Sequence, residues 1–216
     1  MAGSTPIYGF PYPEATDLVA DYPALGQELA EDIETVIDGI SVGLNAMVPT
    51  STANSGGTVT QQGNKTLFSG VTSVSLNGVF TSSYLFYRVI MSGYASAGTP
   101  NLFFRYRASG SDLTGTEYNY DQNYGSGRNS ATNATSVLLA SLGTGGVDRG
   151  NTTMDVMYPQ NASNATSAVG VSFRATSPLT SMHGHTYTAI TSIDGFTMYV
   201  TSGTLTGHVG ILGYNA

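Results

Sequence analysis

From Lys65 onward the chain repeats one pattern: short runs rich in Val, Ile, Leu, Phe, Tyr and Thr, each closed off by Gly, Asn, Asp or Ser. The runs are Val71–Leu76, Tyr84–Tyr94, Asn101–Ala108, Glu117–Tyr124, Ser136–Leu142, Thr152–Tyr158, Ala168–Ala175, His185–Ile190, Phe196–Val200 and Thr204–Leu212. No helical period competes with them, so each reads as a strand. Short, regular strands without intervening helices cannot form parallel crossover units. They predict an antiparallel β-sandwich, jelly-roll-like, over residues 65–216.

Composition says what such a sandwich shows to solvent. Charged residues are 10% of the chain, against the usual ~25%, and Gly, Ser, Thr and Asn fill 92 of 216 positions, so the surface must be polar yet mostly uncharged. Hydrophobic residues at 40%, with 14 Tyr and 8 Phe, supply enough apolar area for a packed core. Cysteine is absent, which removes disulfides and thiolate chemistry and leaves the compartment unreadable from redox. Met-Ala-Gly-Ser-Thr-Pro carries no charge and no apolar h-region, and no run approaches ~18 apolar residues; neither a signal peptide nor membrane insertion is expected. A net charge of −7 with scattered arginines excludes the basic patch that nucleic acid requires.

Charge is unevenly placed. The first 64 residues have no Lys or Arg, while eight carboxylates fall between Glu14 and Asp38. Pro6, Pro11 and Pro13, mixed with Tyr8, Phe10 and Tyr12, predict an extended arm with rings to bury on a neighbour. Thr16 and Asp17 offer a cap, Pro23 suits a first helical position, and Ala24 to Ile40 is free of proline, so a helix is predicted there. Its apolar positions Leu25, Leu29, Ile33, Val36 and Ile40 step by 4, 4, 3 and 4 and form one stripe. Leu25 to Val36 and Leu29 to Ile40 each span eleven residues, the spacing of a straight or slightly right-handed bundle. Glu28, Glu31, Asp32, Glu34 and Asp38 have no basic residue four positions away, so alone this helix is marginal. It needs sister copies along the stripe or a basic socket on another protein; the plainer alternative is a helix that covers the β-domain. Residues 49–64 read as a linker by composition. The expected organisation is an arm and acidic anchor helix over 1–48, the linker, and a β-sandwich head over 65–216.

Two stretches resemble a known family. TDLVADYPALGQELAEDIETVID (Thr16 to Asp38) resembles the N-terminal segment of minor tail proteins and tail fibres from tailed phages of actinobacteria. The run Asp194-Gly195-Phe196-Thr197-Met198-Tyr199, followed by SGTLTGHVGILGYN from Ser202 to Asn215, resembles the closing hairpin of β-sandwich domains in phage tail fibres and minor structural proteins. FSGVTSVSLNGVF (Phe68 to Phe80), Tyr87-Arg88-Val89-Ile90 and the turn Ser109-Gly110-Ser111-Asp112 fit the early strands of the same domain more loosely, and residues 125–165 match nothing in it. Leu212-Gly213-Tyr214 departs from the family, which often has an aromatic before the Gly. The resemblance implies a homotrimeric, non-enzymatic virion protein on the phage tail, held to other virion proteins through its N-terminal segment, with the head exposed on the particle for host attachment. A capsid decoration or head-fibre protein would share that architecture, and a surface-polysaccharide depolymerase is a third expectation.

Three constellations could carry chemistry. Tyr118, Tyr120, Asn123, Tyr124 and Arg128 interleave rings with amides and charge, the mixture that binds sugar, because a ring covers the apolar face of a pyranose while amides take its hydroxyls. A bacterial cell-surface glycan is the expected ligand, and ordinary strand packing the plainer reading of the same alternation. His183 and His185 lie at i and i+2. In a threefold trimer they could set six imidazoles around the axis for a transition metal, as in the His-x-His iron sites of some long phage fibres; the plainer reading is a polar loop with solvated rings. No other cofactor is expected. Catalysis has little to work with: beyond Asp38 the carboxylates are Asp112, Glu117, Asp121, Asp148, Asp155 and Asp194. Glu117 and Asp121 would stand ~13 Å apart along a strand, long for a glycosidase pair. No Gly-x-Ser-x-Gly elbow occurs. Five Asn-x-Ser/Thr triplets (Asn64, Asn133, Asn151, Asn161, Asn164) are close to the number this composition makes by chance.

Overall fold

The computed structural model describes residues 3–4, 11–12, 22–39, 43–98, 100–125, 127–146, 148–175 and 179–215. The chain divides into two compact units, residues 1–44 and 45–216. In the first, β1 (Gly3–Ser4) pairs antiparallel with β2 (Pro11–Tyr12), and α1 runs from Tyr22 to Gly39. Pro23 sits in its first turn, where the missing N–H costs nothing. Gln27 Nε2 donates to Glu31 Oε1 one turn on, at 2.8 Å. Along the expected apolar stripe Leu29 is part-buried and Ile33 is 39% exposed; the side chains of Leu25 and Val36, and Ile40 altogether, lie outside the described residues. So do the capping residues Thr16 and Asp17.

The second unit is an antiparallel β-sandwich of a ten-stranded and a six-stranded sheet. Its strands are β3 (Asn45–Met47), β4 (Ser51–Ser55), β5 (Thr58–Gln62), β6 (Lys65–Val71), β7 (Ser73–Asn77), β8 (Phe86–Ala95), β9 (Asn101–Ala108), β10 (Ser111–Asp112), β11 (Tyr118–Tyr124), β12 (Gly127–Ala134), β13 (Val137–Ser141), β14 (Gly150–Met157), β15 (Thr166–Arg174), β16 (Leu179–Tyr187), β17 (Gly195–Val200) and β18 (Leu205–Tyr214). The large sheet runs β12-β11-β16-β15-β14-β8-β18-β6-β5, with β3 also on β18; the small one runs β10-β9-β17-β7-β4, with β13 also on β9.

Period-2 burial builds the core. In β8, Tyr87, Val89 and Met91 face in while Arg88 and Ile90 face out, and β14 and β15 alternate in the same way. Between the sheets lie Leu76, Phe80, Tyr87, Met91, Leu102, Phe104, Phe196 and Ile211, each at most 2% exposed. Burying such a side chain contributes about 2 kcal/mol. The ring of Phe104 stacks on Phe196 at 5.1 Å and meets Tyr106 edge-on at 4.9 Å, so the aromatic centre is ordered as well as dry.

Residues 49–64 are not a linker. Ser51–Ser55 pairs with β7 in the small sheet and Thr58–Gln62 pairs with β6 in the large one, so residues 51–77 form one long hairpin that passes from sheet to sheet. Its bend is at Gly56-Gly57 opposite Gly70. Gly57 has φ +55°, and a Cβ there would lie 2.1 Å from the Ser69 carbonyl oxygen; only glycine fits. The Gly-Gly that suggested flexibility is a fixed corner.

The outward face of the large sheet has an apolar part. Val169, Val171 and Phe173 of β15 are 51%, 46% and 42% exposed, Met182 of β16 is 61% exposed, and Val171 stands directly opposite Met182 in the register.

Candidate functional site

The β11–β12 hairpin carries most of the residues singled out for ligand binding, and alternation along β11 sends them to two places. Tyr118, Tyr120, Gln122 and Tyr124 point toward the small sheet, whereas Asn119, Asp121 and Asn123 point outward. The five expected sugar-binding residues therefore do not form one site. Tyr118 is removed from it altogether: the side chain is fully buried, its hydroxyl accepting the Tyr106 N–H and donating to the Leu113 carbonyl, both at 2.9 Å. Burial raises its pKa. Tyr120 is part-buried against the core, Asn123 is exposed on the outer face, Tyr124 is at the rim of a cleft between the sheets, and Arg128 is on the outer face of β12.

On that outer face β12, β11, β16 and β15 form an open groove of about 530 Å³, reached by Asn119, Asp121, Arg128, Ser130, Ser167 and Thr186. Its one ion pair is bidentate: Arg128 Nε and Nη2 donate to Asp121 Oδ1 and Oδ2, each at 2.8 Å. The guanidinium hydrogen bonds hold the Asp121 carboxyl below its ordinary pKa, so the pair is neutral overall and acceptor-rich. Asn119 Oδ1 accepts the Asn133 N–H at 3.0 Å, fixing Asn133 at φ +54° beside the bulge where β11 and β12 lose register. The lining mixes the hydroxyl residues Ser130, Thr132, Ser167 and Thr186 with Tyr120, Ala131 and Ala168. The groove offers hydrogen-bonding hydroxyls beside an ion pair that bonds to itself.

His183 and His185 are corrected in position. They lie inside β16 and face the small sheet at 3% and 4% exposure, not in a loop. The Tyr106 hydroxyl meets His185 Nε2 at 2.8 Å, and both nitrogens of His183 and Nδ1 of His185 have no partner. Desolvation pulls His183 down to about 4, and burial with the neighbouring His183 pulls His185 down to about 3, so both rings are neutral at pH 7. Both rings are enclosed in one sandwich rather than presented outward, where a metal shared around a threefold axis would need them. Among the described residues no three His, Cys, Asp or Glu side chains cluster as a metal site.

Carboxylates are largely engaged. Besides Asp121, Asp155 pairs with Arg88 at 2.8 Å and Asp148 with Arg174 at 2.6 Å. Asp112 pairs with Arg107, which is 8% exposed and also bonds Ser75, Asn77 and Thr197.

Sequence reasoning missed Ser130, Ser167 and Thr186 because isolated hydroxyl residues give no signal until strand register brings them side by side. Compared with known proteins, the chain matches no family model, and no curated protein matches it.

Proposed function

We propose that this chain is a bacteriophage virion structural protein of the tail-fibre or minor-tail kind, acting by non-catalytic attachment of its β-sandwich head to a bacterial surface glycan. The observation that carries this reading is the groove on β11, β12, β15 and β16, where hydroxyls and one self-neutralised ion pair lie among Tyr120, Ala131 and Ala168, a lining that suits a ligand with hydroxyls and apolar faces rather than charge. Weak polar contacts of this type become useful when multiplied by copy number, so the reading includes a homotrimer held to the particle through residues 1–44. The exposed patch of Val169, Val171, Phe173 and Met182 supports sister copies packed on the large sheet. Binding without hydrolysis is supported by Asp112, Asp121, Asp148 and Asp155, each of which is ion-paired with an arginine and so is not a free carboxyl for an acid and base pair.

The test is adhesion of the purified full-length protein to actinobacterial cells and to their extracted wall glycan. An Asp121→Ala, Arg128→Ala double variant and a Ser130→Trp variant should lose adhesion while keeping the circular dichroism of the parent. Full adhesion by both variants defeats the groove reading, and released oligosaccharide would move the protein to the depolymerases. Antibody labelling of the capsid shell instead of the tail would select decoration.

A further inference from the structure

The inward side of the same strands holds a second concavity. Between the sheets is a cleft of about 190 Å³, roughly six waters' worth of liquid volume. A single pyranose displaces about that much water. Its origin is a bulge in β13: Leu138 and Ala140 pair with the consecutive residues Phe103 and Leu102, leaving Leu139 outside the ladder. The Leu139 carbonyl accepts from Gln122 Nε2 and from Ser172 Oγ, both at 3.1 Å; Gln122 Nε2 also reaches Ser181 Oγ at 3.1 Å, and Ser172 shares a 3.0 Å hydrogen bond with Thr152. Gln122, Ser172 and Ser181 are 4%, 3% and 6% exposed, so their polar atoms depend on one another for hydrogen bonds.

That network leaves bonding capacity directed at the cleft. Gln122 Oε1 has no protein partner among the described residues. Neither has Asn101 Nδ2, whose Oδ1 accepts from Ser141 at 3.1 Å. Neither atom is sealed from solvent. The Tyr124 ring stands at the rim, laid so closely over Gly127 that a Cβ there would be 2.6 Å from it. Arg174, also on the lining, is neutralised by Asp148 at 2.6 and 2.9 Å. A ring wall, an acceptor, amide and hydroxyl donors and no net charge define the ligand class.

We propose that this cleft binds one neutral sugar ring, with Tyr124 against its apolar face and Gln122, Asn101 and Ser181 on its hydroxyls. The proposal rests on the glycan reading above and adds a subsite for a terminal residue, separate from the outer groove.

The experiment is a side-chain amide chemical-shift titration of the full-length protein with glucose, galactose, mannose, rhamnose and N-acetylglucosamine, with glucuronate as the charged comparison. At least one neutral sugar should give a saturable shift of the Gln122 and Asn101 amides. Two variants away from the core test the location: Asn129→Trp, which plugs the exposed mouth, and Asn101→Ala should each weaken that binding at least tenfold. The Asp121→Ala, Arg128→Ala groove variant should leave it unchanged. No saturable shift with any neutral sugar, tighter binding of glucuronate, or undiminished binding to Asn129→Trp overturns the cleft. If the cleft is silent while the groove variant still loses cell adhesion, the cleft proposal is wrong and the attachment reading stands; if adhesion also survives in the groove variants, both are wrong.

Discussion

The outer groove and the inter-sheet cleft are built from the same strands, yet they solve opposite problems. In the groove, polar groups stay wet, and the single charge pair, Asp121 with Arg128, bonds to itself. In the cleft, Gln122, Ser172 and Ser181 are nearly buried, and the bulged Leu139 carbonyl takes two of their hydrogens. A one-residue step along β11, from Asp121 to Gln122, crosses from one regime to the other. Losing a partner therefore costs little outside and much inside.

Acid should separate the two surfaces most strongly. The folded pKa values of His183 and His185, about 4 and about 3, lie below the unfolded value of 6.5, so the unfolded chain takes up protons first. Their contribution is complete above pH 6.5 and is lost as pH falls toward 4, at about 1.4 kcal/mol per histidine for each pH unit. Urea midpoints measured from pH 7.5 to 4.5 should drop steeply below pH 6.5, and a flat profile down to pH 5 would contradict the buried rings. Asp121, with its lowered pKa, keeps the groove unchanged over that range.

Next in size, Gln122→Leu should cost about 1–3 kcal/mol, because the Leu139 carbonyl keeps only Ser172. A variant as stable as the parent would show that the inner network is ornamental. On the outer face, a Val171→Glu, Met182→Glu pair should weaken self-association at least tenfold in sedimentation equilibrium without lowering the denaturation midpoint. An unchanged mass distribution would remove the large sheet from the contact. The smallest effect on stability belongs to Asp121→Ala with Arg128→Ala, whose exposed pair should leave the midpoint within error; a clear loss would mean that the groove is a folding element.

How much of this was readable in sequence depends on where apolar alternation survives. The predicted run Asn101–Ala108, which alternates Leu102, Phe104 and Tyr106, coincides with β9, and Phe196–Val200 falls within β17. Gly127–Ala134 was missed because Gly-Arg-Asn-Ser-Ala-Thr-Asn-Ala has no large apolar residue: β12 is a sheet edge that buries almost nothing. Ser51–Ser55 and Thr58–Gln62 look like a linker for the same reason, their ladder bonds being invisible in side-chain pattern. The predicted strand starts only at His185, six residues into β16, because Thr-Ser-Met-His-Gly-His looks polar, although Ser181, His183 and His185 occupy inward positions. The site was legible to the extent of its hairpin. Its division into two surfaces needed the register.

The first and last strands of the head lie side by side: Ala46 pairs with Leu212, and Met47 with Ile211. Any tension arriving along the backbone at Asn45 is met by β18, more than 150 residues further along the chain. The next strand, β4, is bonded to β7 in the opposite layer, so a pull that peels β3 away transfers its load to the second sheet. A sandwich closed in this way spreads an applied load across both layers instead of unravelling from β3.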